Sequence, residues 1–127
     1  MVDEINRRAC ATAFCAGGAS EGIDWVFKPG RTYIRATDGV TIFTADGSGI
    51  FDFQTNLPAG FTGANTPYLT GLLVDWTSSS DNCNSWLSGT ALFEGAFGNG
   101  LSIDIGAVSF ATTGCNTNLR KLLCVEQ

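Results

Sequence analysis

Five cysteines and the absence of histidine restrict the chemistry open to this chain of 127 residues. Without histidine there is no Ser-His or Cys-His nucleophile pair, no histidine-bearing zinc site and no side chain that ordinarily titrates near neutrality. Catalysis would have to use carboxylates or cysteine alone. The acidic candidates stand singly in polar, turn-like sequence: Asp75, Asp81, Glu94, Asp104 and Glu126. We expect solvated surface carboxylates there, no catalytic residue and no enzyme; a hydrolase using acids such as Asp75 and Asp81 is the weakest alternative.

Cys83 lies in the polar stretch DWTSSSDNCNSW, between two tryptophans. It could be a nucleophile, a metal ligand or half of a disulfide. Metal binding would favour CxxC pairs or histidines, which the chain lacks, so we expect no metal ion and no cofactor. Asparagine neighbours and nearby acids do not favour a reactive thiolate. Five cysteines in so short a chain suit an oxidising compartment, and a disulfide is therefore the favoured interpretation.

By position, a bond from Cys83 to Cys115 would close a long stretch rich in glycine, serine and asparagine, residues 77–106. A closed loop of this length contributes roughly 3 to 4 kcal/mol in the chain-entropy model. Long loops on a rigid scaffold often carry binding, so this stretch is the expected contact surface, although a loop with no binding role is equally open. Its candidate binding residues are Trp86, Asn82, Asn84, Phe93 and Phe97.

The three tryptophans have different expected roles. Trp25 and Trp76 lie in or beside apolar runs and should belong to the core. Trp86, three residues after Cys83, either packs on the disulfide, which we favour, or faces outward as a binding anchor.

Composition indicates one mainly β domain over residues 1–127, because 44% of residues are hydrophobic, only 15% are charged and 16 are glycine. The net charge of -5 argues against a nucleic-acid partner. No apolar run approaches the roughly 20 residues that span a bilayer, so we expect no membrane insertion. The N-terminus lacks a signal-peptide pattern, and an export signal would have to lie upstream of Met1.

Short strand-like runs separated by turn residues support the mainly β prediction. Two Asp-Gly pairs, at 38–39 and 46–47, separate alternating apolar runs and predict a β-meander. Residues 68–74 are the most apolar run and the expected central strand, while residues 91–97 are expected to form a short helix or an apolar loop packed inward. The other predicted strands are 23–27, 32–35, 40–44, 50–53, 107–110 and 119–125.

The order of several short motifs resembles the C-terminal half of a C-type-lectin-like domain, in which a WIGL-type strand precedes a cysteine pair around a long loop and a final cysteine-bearing strand. The motifs are YLTGL at 68–72, Asp75-Trp76, CNSW at 83–86, Cys115 and LLCVE at 122–126. The endostatin-like branch is more similar. Most similar is a bacterial family of uncharacterised function known from leptospiral surface and secreted proteins, through RRAC at 7–10 with Cys15, Asp24-Trp25-Val26 with Pro29, and CVEQ at 124–127.

This resemblance implies an α+β, mainly β, C-type-lectin-like (endostatin-like) fold with a long disulfide-closed loop. The usual first strand and helix, with the cysteine expected to bond the final-strand cysteine, are missing, so an N-terminally truncated fragment or a shortened variant of the domain is expected. Cys10 would then pair with Cys15 and leave Cys124 as an unpaired thiol. Pairing of Cys124 with Cys10 or Cys15 stays open.

The resemblance also implies the partner. Leptospiral endostatin-like proteins bind matrix components and complement regulators, so a host extracellular or matrix protein is expected, recognised at the bacterial outer surface or after secretion. The calcium-chelating triplets of sugar-binding C-type lectins are absent, since the loop reads Asn65-Thr66-Pro67. The alternative is a calcium-independent carbohydrate-binding module that uses aromatic stacking. The oligomeric state is left open.

Overall fold

A computed structural model describes residues 1–117, 121 and 123–125 of the chain. This part is mainly β, as predicted, and contains no α-helix: its helical structure consists of three short 3-10 turns, Ala13–Cys15, Ala19–Glu21 and Ile105–Ala107. Two small antiparallel sheets are formed by five strands. The strands are β1 (Thr32–Ile34), β2 (Thr41–Thr44), β3 (Pro67–Leu69), β4 (Glu94–Asn99) and β5 (Ala111–Gly114).

The first sheet is the hairpin of β1 and β2, in which Tyr33 lies opposite Phe43. Its connection uses the first Asp-Gly pair. The Gly39 N–H donates to the Arg35 carbonyl oxygen at 2.8 Å, and Gly39 has a φ of +72°, a conformation that glycine adopts without steric cost. The prediction of a hairpin at this Asp-Gly pair is confirmed.

The second Asp-Gly pair is followed by a turn, and the predicted strand at 50–53 is wrong. Asp46 holds this turn, because its Oδ1 accepts hydrogen bonds from the N–H groups of Ser48 and Ile50. Two backbone carbonyl groups here accept hydrogen bonds from tryptophan side chains. In a β-strand such groups would accept hydrogen bonds from a neighbouring strand. Trp25 Nε1 donates to Gly49 O at 2.8 Å, and Trp76 Nε1 donates to Phe51 O at 2.6 Å.

The predicted strand at 23–27 is also wrong. It makes a single isolated bridge, between Ile23 and Arg8, and Asp24 then turns the chain with a φ of 45°. Turning here lets consecutive apolar side chains, Trp25, Val26 and Phe27, all pack toward the core, which a strand with alternating faces would not allow.

The second sheet has the order β3-β4-β5, so its central strand is β4. This corrects two expectations. The run 68–74 forms only the end of β3, because the N–H groups of Thr70 and Gly71 both donate to Ala96 O at 3.0 and 3.2 Å and break the ladder. Residues 91–97, expected as a helix or inward loop, contain the start of β4.

Beyond β3 the sheet continues into the C-terminal segment, where Lys121 bridges Tyr68 in parallel. The predicted strand 119–125 otherwise lies partly outside the described residues, at 119, 120 and 122. The predicted strand at 107–110 is replaced by a 3-10 turn, which Asp104 caps through a hydrogen bond from Gly106 N–H, and β5 begins only at Ala111.

Glycines in β4 explain why its pattern was missed. A Cβ at Gly98 would overlap the carbonyl oxygen of Ala107, and one at Gly95 would lie 2.9 Å from Cys83 Sγ and 3.0 Å from Leu69 Cδ2. The two glycines therefore let neighbouring chain segments pack directly against the backbone of β4. Because glycine has no side chain, they also interrupt the alternation of apolar and polar residues that predicts a strand.

The core is an aromatic cluster beside the first sheet. We call it the aromatic core; it comprises Trp25, Phe27, Tyr33, Phe43, Phe51, Phe53, Phe61 and Trp76. Ring centroids are close, at 4.9 Å between Phe27 and Phe43 and 6.0 Å between Trp25 and Trp76. Trp76 is 1% exposed, and Trp25 is half-buried against the cluster. Both tryptophans thus pack in or against the core, as predicted.

Candidate functional site

The structure contains two disulfides, Cys10–Cys15 and Cys83–Cys115. These are the two pairs expected above. Cys124 is exposed and has no disulfide partner among the described residues. The pairing of Cys124 with Cys10 or Cys15, which the sequence left open, is not the one that the structure adopts.

The Cys83–Cys115 disulfide anchors the first residue of a loop of twelve residues, 83–94, to the residue that follows β5. The two ends of this loop meet at a neck. At this neck the Cys83 N–H donates to Glu94 O at 2.8 Å, and Asn82 bridges Gly95. A surface loop of about 6–16 residues whose ends lie close together is an Ω-loop, a type that frequently carries function. We call this segment the 83–94 loop. It is a small part of the stretch 77–106 predicted as a contact loop, because β4 occupies the middle of that stretch.

The loop opens with a left-handed turn of four consecutive residues other than glycine. Their φ angles are 56° for Cys83, 55° for Asn84, 54° for Ser85 and 64° for Trp86. The left-handed conformation costs roughly 1–2 kcal/mol for each such residue, so surrounding interactions must enforce it. Asn82 supplies two: its carbonyl oxygen accepts the Trp86 N–H at 2.8 Å, and its Oδ1 accepts the Ser85 N–H at 2.9 Å.

Trp86 fixes this turn to the rest of the domain. Its side chain is half-buried, and its Nε1 donates to Val2 O at 2.9 Å. The indole covers two glycines, since a Cβ at Gly71 would lie 2.7 Å from its Cζ2 and one at Gly95 would lie 3.7 Å from its Cζ3. Cys83 Sγ lies against the same Gly95, so indole and disulfide are neighbours. This favours the packing role of Trp86 over that of an outward binding anchor.

Beyond the turn, the 83–94 loop presents large apolar side chains to solvent. Leu87 is 85% exposed, Leu92 is 88% exposed and Phe93 is 41% exposed. Phe93 was a predicted binding residue, whereas Leu87 and Leu92 were missed. Their sequence context held a signal: both lie in the stretch WLSGTALF at 86–93, whose large residues lack the periodicity that would place them in a core.

The other predicted binding residues divide by exposure. Asn84 is exposed, whereas Asn82 is half-buried and its side-chain oxygen holds the left-handed turn. The prediction for Phe97 is wrong. It lies inside β4, is only 8% exposed and packs on Phe110 at a centroid distance of 5.9 Å, so it has little surface to offer a partner.

Three of the five acidic side chains considered for catalysis accept hydrogen bonds from neighbouring groups. Asp75 Oδ1 accepts from the N–H and the hydroxyl of Thr77 at 3.1 and 2.6 Å, and Asp104 caps the last 3-10 turn. Glu94 accepts from the Thr112 hydroxyl at 2.7 Å. Glu126 lies outside the described residues. Within the described ranges, no group of three or more metal-ligating side chains comes together.

Burial raises the pKa of the Tyr68 phenol, which donates to Ala107 O and so joins β3 to the last 3-10 turn. Near Tyr68 lies a half-open cavity of about 70 Å³, and a second one of about 220 Å³ is lined in part by Asp24, Trp25 and Lys28. Pockets for small molecules usually have about 300–1,000 Å³, so both are smaller than such a pocket. The exposed side chains of the 83–94 loop are therefore the better candidate for a functional surface. In the described part of the chain, no helix has the length and apolarity to span a bilayer.

Comparison with known proteins gives a family and no function. No curated protein and no solved structure matches the chain. A family model described as a protein of unknown function (DUF1554) matches residues 1–103, which include the Cys10–Cys15 disulfide, Cys83 and the whole 83–94 loop. Because the match covers more than half of the sequence, the chain belongs to the DUF1554 family of proteins of unknown function.

Proposed function

We propose that this protein is an exported, non-enzymatic binding module that recognises another protein through the 83–94 loop. The observation that carries the proposal is the exposure of Leu87 and Leu92, at 85% and 88%, on a loop that a disulfide anchors at its first residue. Exposed apolar side chains grouped on one segment are typical of interaction sites rather than of inert surface.

The energetics support a binding role. Full burial of a leucine or phenylalanine side chain contributes about 1.5–3 kcal/mol, and the loop leaves most of this free energy unused in the isolated domain. Binding also costs free energy where a loop must first be ordered. The disulfide and the left-handed turn order the start and neck of this loop in advance, which would lower that cost.

We assign the C-type-lectin-like, endostatin-like fold as part of the same proposal. Its support is the chain order of β3, the Cys83–Cys115 bond around the loop, and a C-terminal segment that returns beside β3 at Lys121. Two disulfides suit an oxidising compartment, and hence the bacterial outer surface or the extracellular space. The family resemblance makes host matrix proteins and complement regulators the first partners to test.

The test is binding of the purified domain to a panel of immobilised matrix proteins and complement regulators. Leu92→Ser should weaken binding at least tenfold, because it replaces an exposed apolar anchor without touching the core. Leu101→Ser is the matched control, since Leu101 is 57% exposed but lies outside the loop. Equal binding by wild type and Leu92→Ser, or an equal loss in Leu101→Ser, would refute the loop as the contact surface.

The carbohydrate alternative predicts a different pattern. A sugar site would depend on an aromatic face, and Trp86→Ala should then abolish binding to a glycan array while Leu92→Ser should not. The half-buried position of Trp86 and its bond to Val2 O leave little of the indole for a sugar. Glycan binding without any protein binding would replace the proposed function with this one.

A further inference from the structure

The charge distribution along the sequence is one-sided in the segments that build the 83–94 loop and strands β3, β4 and β5. No lysine or arginine occurs anywhere from residue 36 to residue 119. The same stretch carries seven acidic residues: Asp38, Asp46, Asp52, Asp75, Asp81, Glu94 and Asp104. The loop and strands β3, β4 and β5 therefore contribute negative charge and apolar side chains but no lysine or arginine; Lys121 lies in the segment beside β3.

Two of these acidic residues, Asp81 and Glu94, lie at or next to the neck of the loop in the sequence. Asp81 precedes the neck and its carbonyl oxygen accepts the Ala96 N–H at 2.7 Å, while Glu94 is the last loop residue. The Glu94 side chain is exposed and held by the Thr112 hydroxyl. Lys121 pairs with β3, on one side of β4. Thr112, the partner of Glu94, belongs to β5 on the other side of β4, so Lys121 and Thr112 lie on opposite sides of the sheet. Neither neck carboxylate is in an ion pair within the described part of the chain.

We infer that the segment recognised by the 83–94 loop is basic and amphipathic, with lysine or arginine residues beside apolar ones. This inference rests on the proposed function and names the chemistry of its partner. The apolar residues would bury Leu87 and Leu92, and the cations would meet Asp81 and Glu94. Opposite charges on the two partners increase the rate of association. Acidic partners are disfavoured, because the net charge of -5 repels them.

The probes are short synthetic peptides of one design. In three of them the apolar positions are constant, and the polar positions carry lysine and arginine, glutamine, or glutamate. In the fourth, the basic positions are kept and serine replaces the apolar residues. Biolayer interferometry measures binding of the intact, disulfide-bonded domain at low and at physiological salt. The basic amphipathic peptide should bind tightest, and added salt should weaken it because exposed charge pairs are screened.

Charge-removing variants locate the effect. Asp81→Asn and Glu94→Gln should each weaken binding of the basic peptide about twofold to fivefold and leave the glutamine peptide unchanged. Glu94→Gln keeps an acceptor for Thr112. Asp52→Asn is the matched control: it removes the same charge, keeps the acceptor for Gln54 N–H and should have no effect. Circular dichroism of each variant checks that the fold is intact.

The outcomes separate this inference from the proposed function. If the glutamine peptide binds as tightly as the basic one, and Leu92→Ser weakens both, the loop is a binding surface and the inference of a basic partner is wrong. If the basic peptide binds equally to wild type and Leu92→Ser, or to wild type and both charge variants, the inference is also wrong. Absence of binding to every peptide overturns it too, while the panel of matrix proteins and complement regulators judges the proposed function independently.

Discussion

The aromatic core and the 83–94 loop are held in place by different physics. In the aromatic core, rings from distant parts of the sequence bury one another, and tryptophan N–H groups satisfy the carbonyls of irregular backbone. In the loop, large apolar side chains stay exposed, and order comes from a disulfide, a hydrogen-bonded neck and a left-handed turn. The aromatic core is stabilised by the burial of its rings, whereas the 83–94 loop leaves apolar side chains exposed to solvent.

This difference predicts that stability and binding separate in mutants. Changes in the aromatic core should unfold the domain, changes at the loop neck should loosen the loop, and changes at the loop tip should affect binding alone.

The largest loss of stability is expected for Trp76→Ala. Trp76 is 1% exposed, contacts several other rings and donates to Phe51 O, so its truncation leaves a cavity and an unpaired carbonyl. Deleting such a side chain costs about 3–5 kcal/mol in the free energy of unfolding. Chemical denaturation followed by fluorescence or circular dichroism measures the change.

Leu92→Ala is the control for this prediction. Because Leu92 is 88% exposed, its truncation should change the free energy of unfolding by less than about 0.5 kcal/mol. A similar destabilisation by both variants would break the comparison, since Leu92 would then belong to the stabilising core.

Removal of the Cys83–Cys115 disulfide should come next. With a sequence separation of 32, the chain-entropy model gives about 3.7 kcal/mol for this bond. The Cys10–Cys15 bond, with a separation of 5, gives only about 2 kcal/mol. Paired substitutions to alanine avoid leaving a lone thiol, and denaturation of both double variants measures the ranking.

Limited proteolysis sharpens this test. Loss of Cys83–Cys115 should make the 83–94 loop the first site of cleavage, because its first residue would lose the covalent anchor to Cys115. The Cys10–Cys15 double variant serves as the control and should leave cleavage of the 83–94 loop unchanged. A reversed ranking of the two disulfides, or an uncut loop in the first variant, would contradict the view that the bond orders it.

The smallest effect concerns pH and the loop closed by Cys10–Cys15, which a carboxylate organises. Glu21 accepts from the N–H groups of Ala11, Thr12 and Gly17 and from the Thr12 hydroxyl. The hydroxyl of Thr12 is the main cause that lowers the pKa of Glu21 from 4.5 to about 2. A lowered pKa means that the carboxylate stabilises the fold above about pH 4.5 and that this contribution is lost as the pH falls toward 2.

Denaturation midpoints at several pH values test this. Wild type should lose stability across that window, and Glu21→Gln should show a shallower decline because it has no carboxylate to protonate. Part of the decline should remain in the variant, since hydrogen bonds led by the Asn6 side chain also lower the pKa of Asp3 to about 2. Parallel curves for wild type and Glu21→Gln would show that Glu21 does not carry the effect.

Local sequence chemistry predicted the parts of the fold that depend on neighbours in the chain. The Asp-Gly pair at 38–39 forms the expected hairpin because a turn followed by alternating apolar residues needs no distant partner. Trp76 lies in the core because a tryptophan beside an apolar run has few other stable places. The same logic failed at 50–53, where tryptophan side chains from elsewhere bond to backbone carbonyls. It also failed at 23–27, where Asp24 turns the chain and three consecutive apolar residues pack toward the core.

Exposure at the candidate site was harder to predict. Phe97 and Phe93 have the same side chain four residues apart, yet one is buried in β4 and the other is exposed on the loop. Only the pairing of β4 with β3 and β5, made possible by Gly95 and Gly98, distinguishes them. Leu87 and Leu92 gave no periodic pattern, and their role as exposed residues became visible only once the neck of the loop was located.

The sequence by itself determined that no histidine takes part in any site and that five cysteines can form disulfides. The absence of histidine and the number of cysteines are properties of composition, and composition does not depend on the fold. The tertiary structure decided which apolar side chains are left outside. That choice depends on contacts between residues far apart in sequence: Trp86 with Val2, Cys83 with Cys115, and β3 with β4.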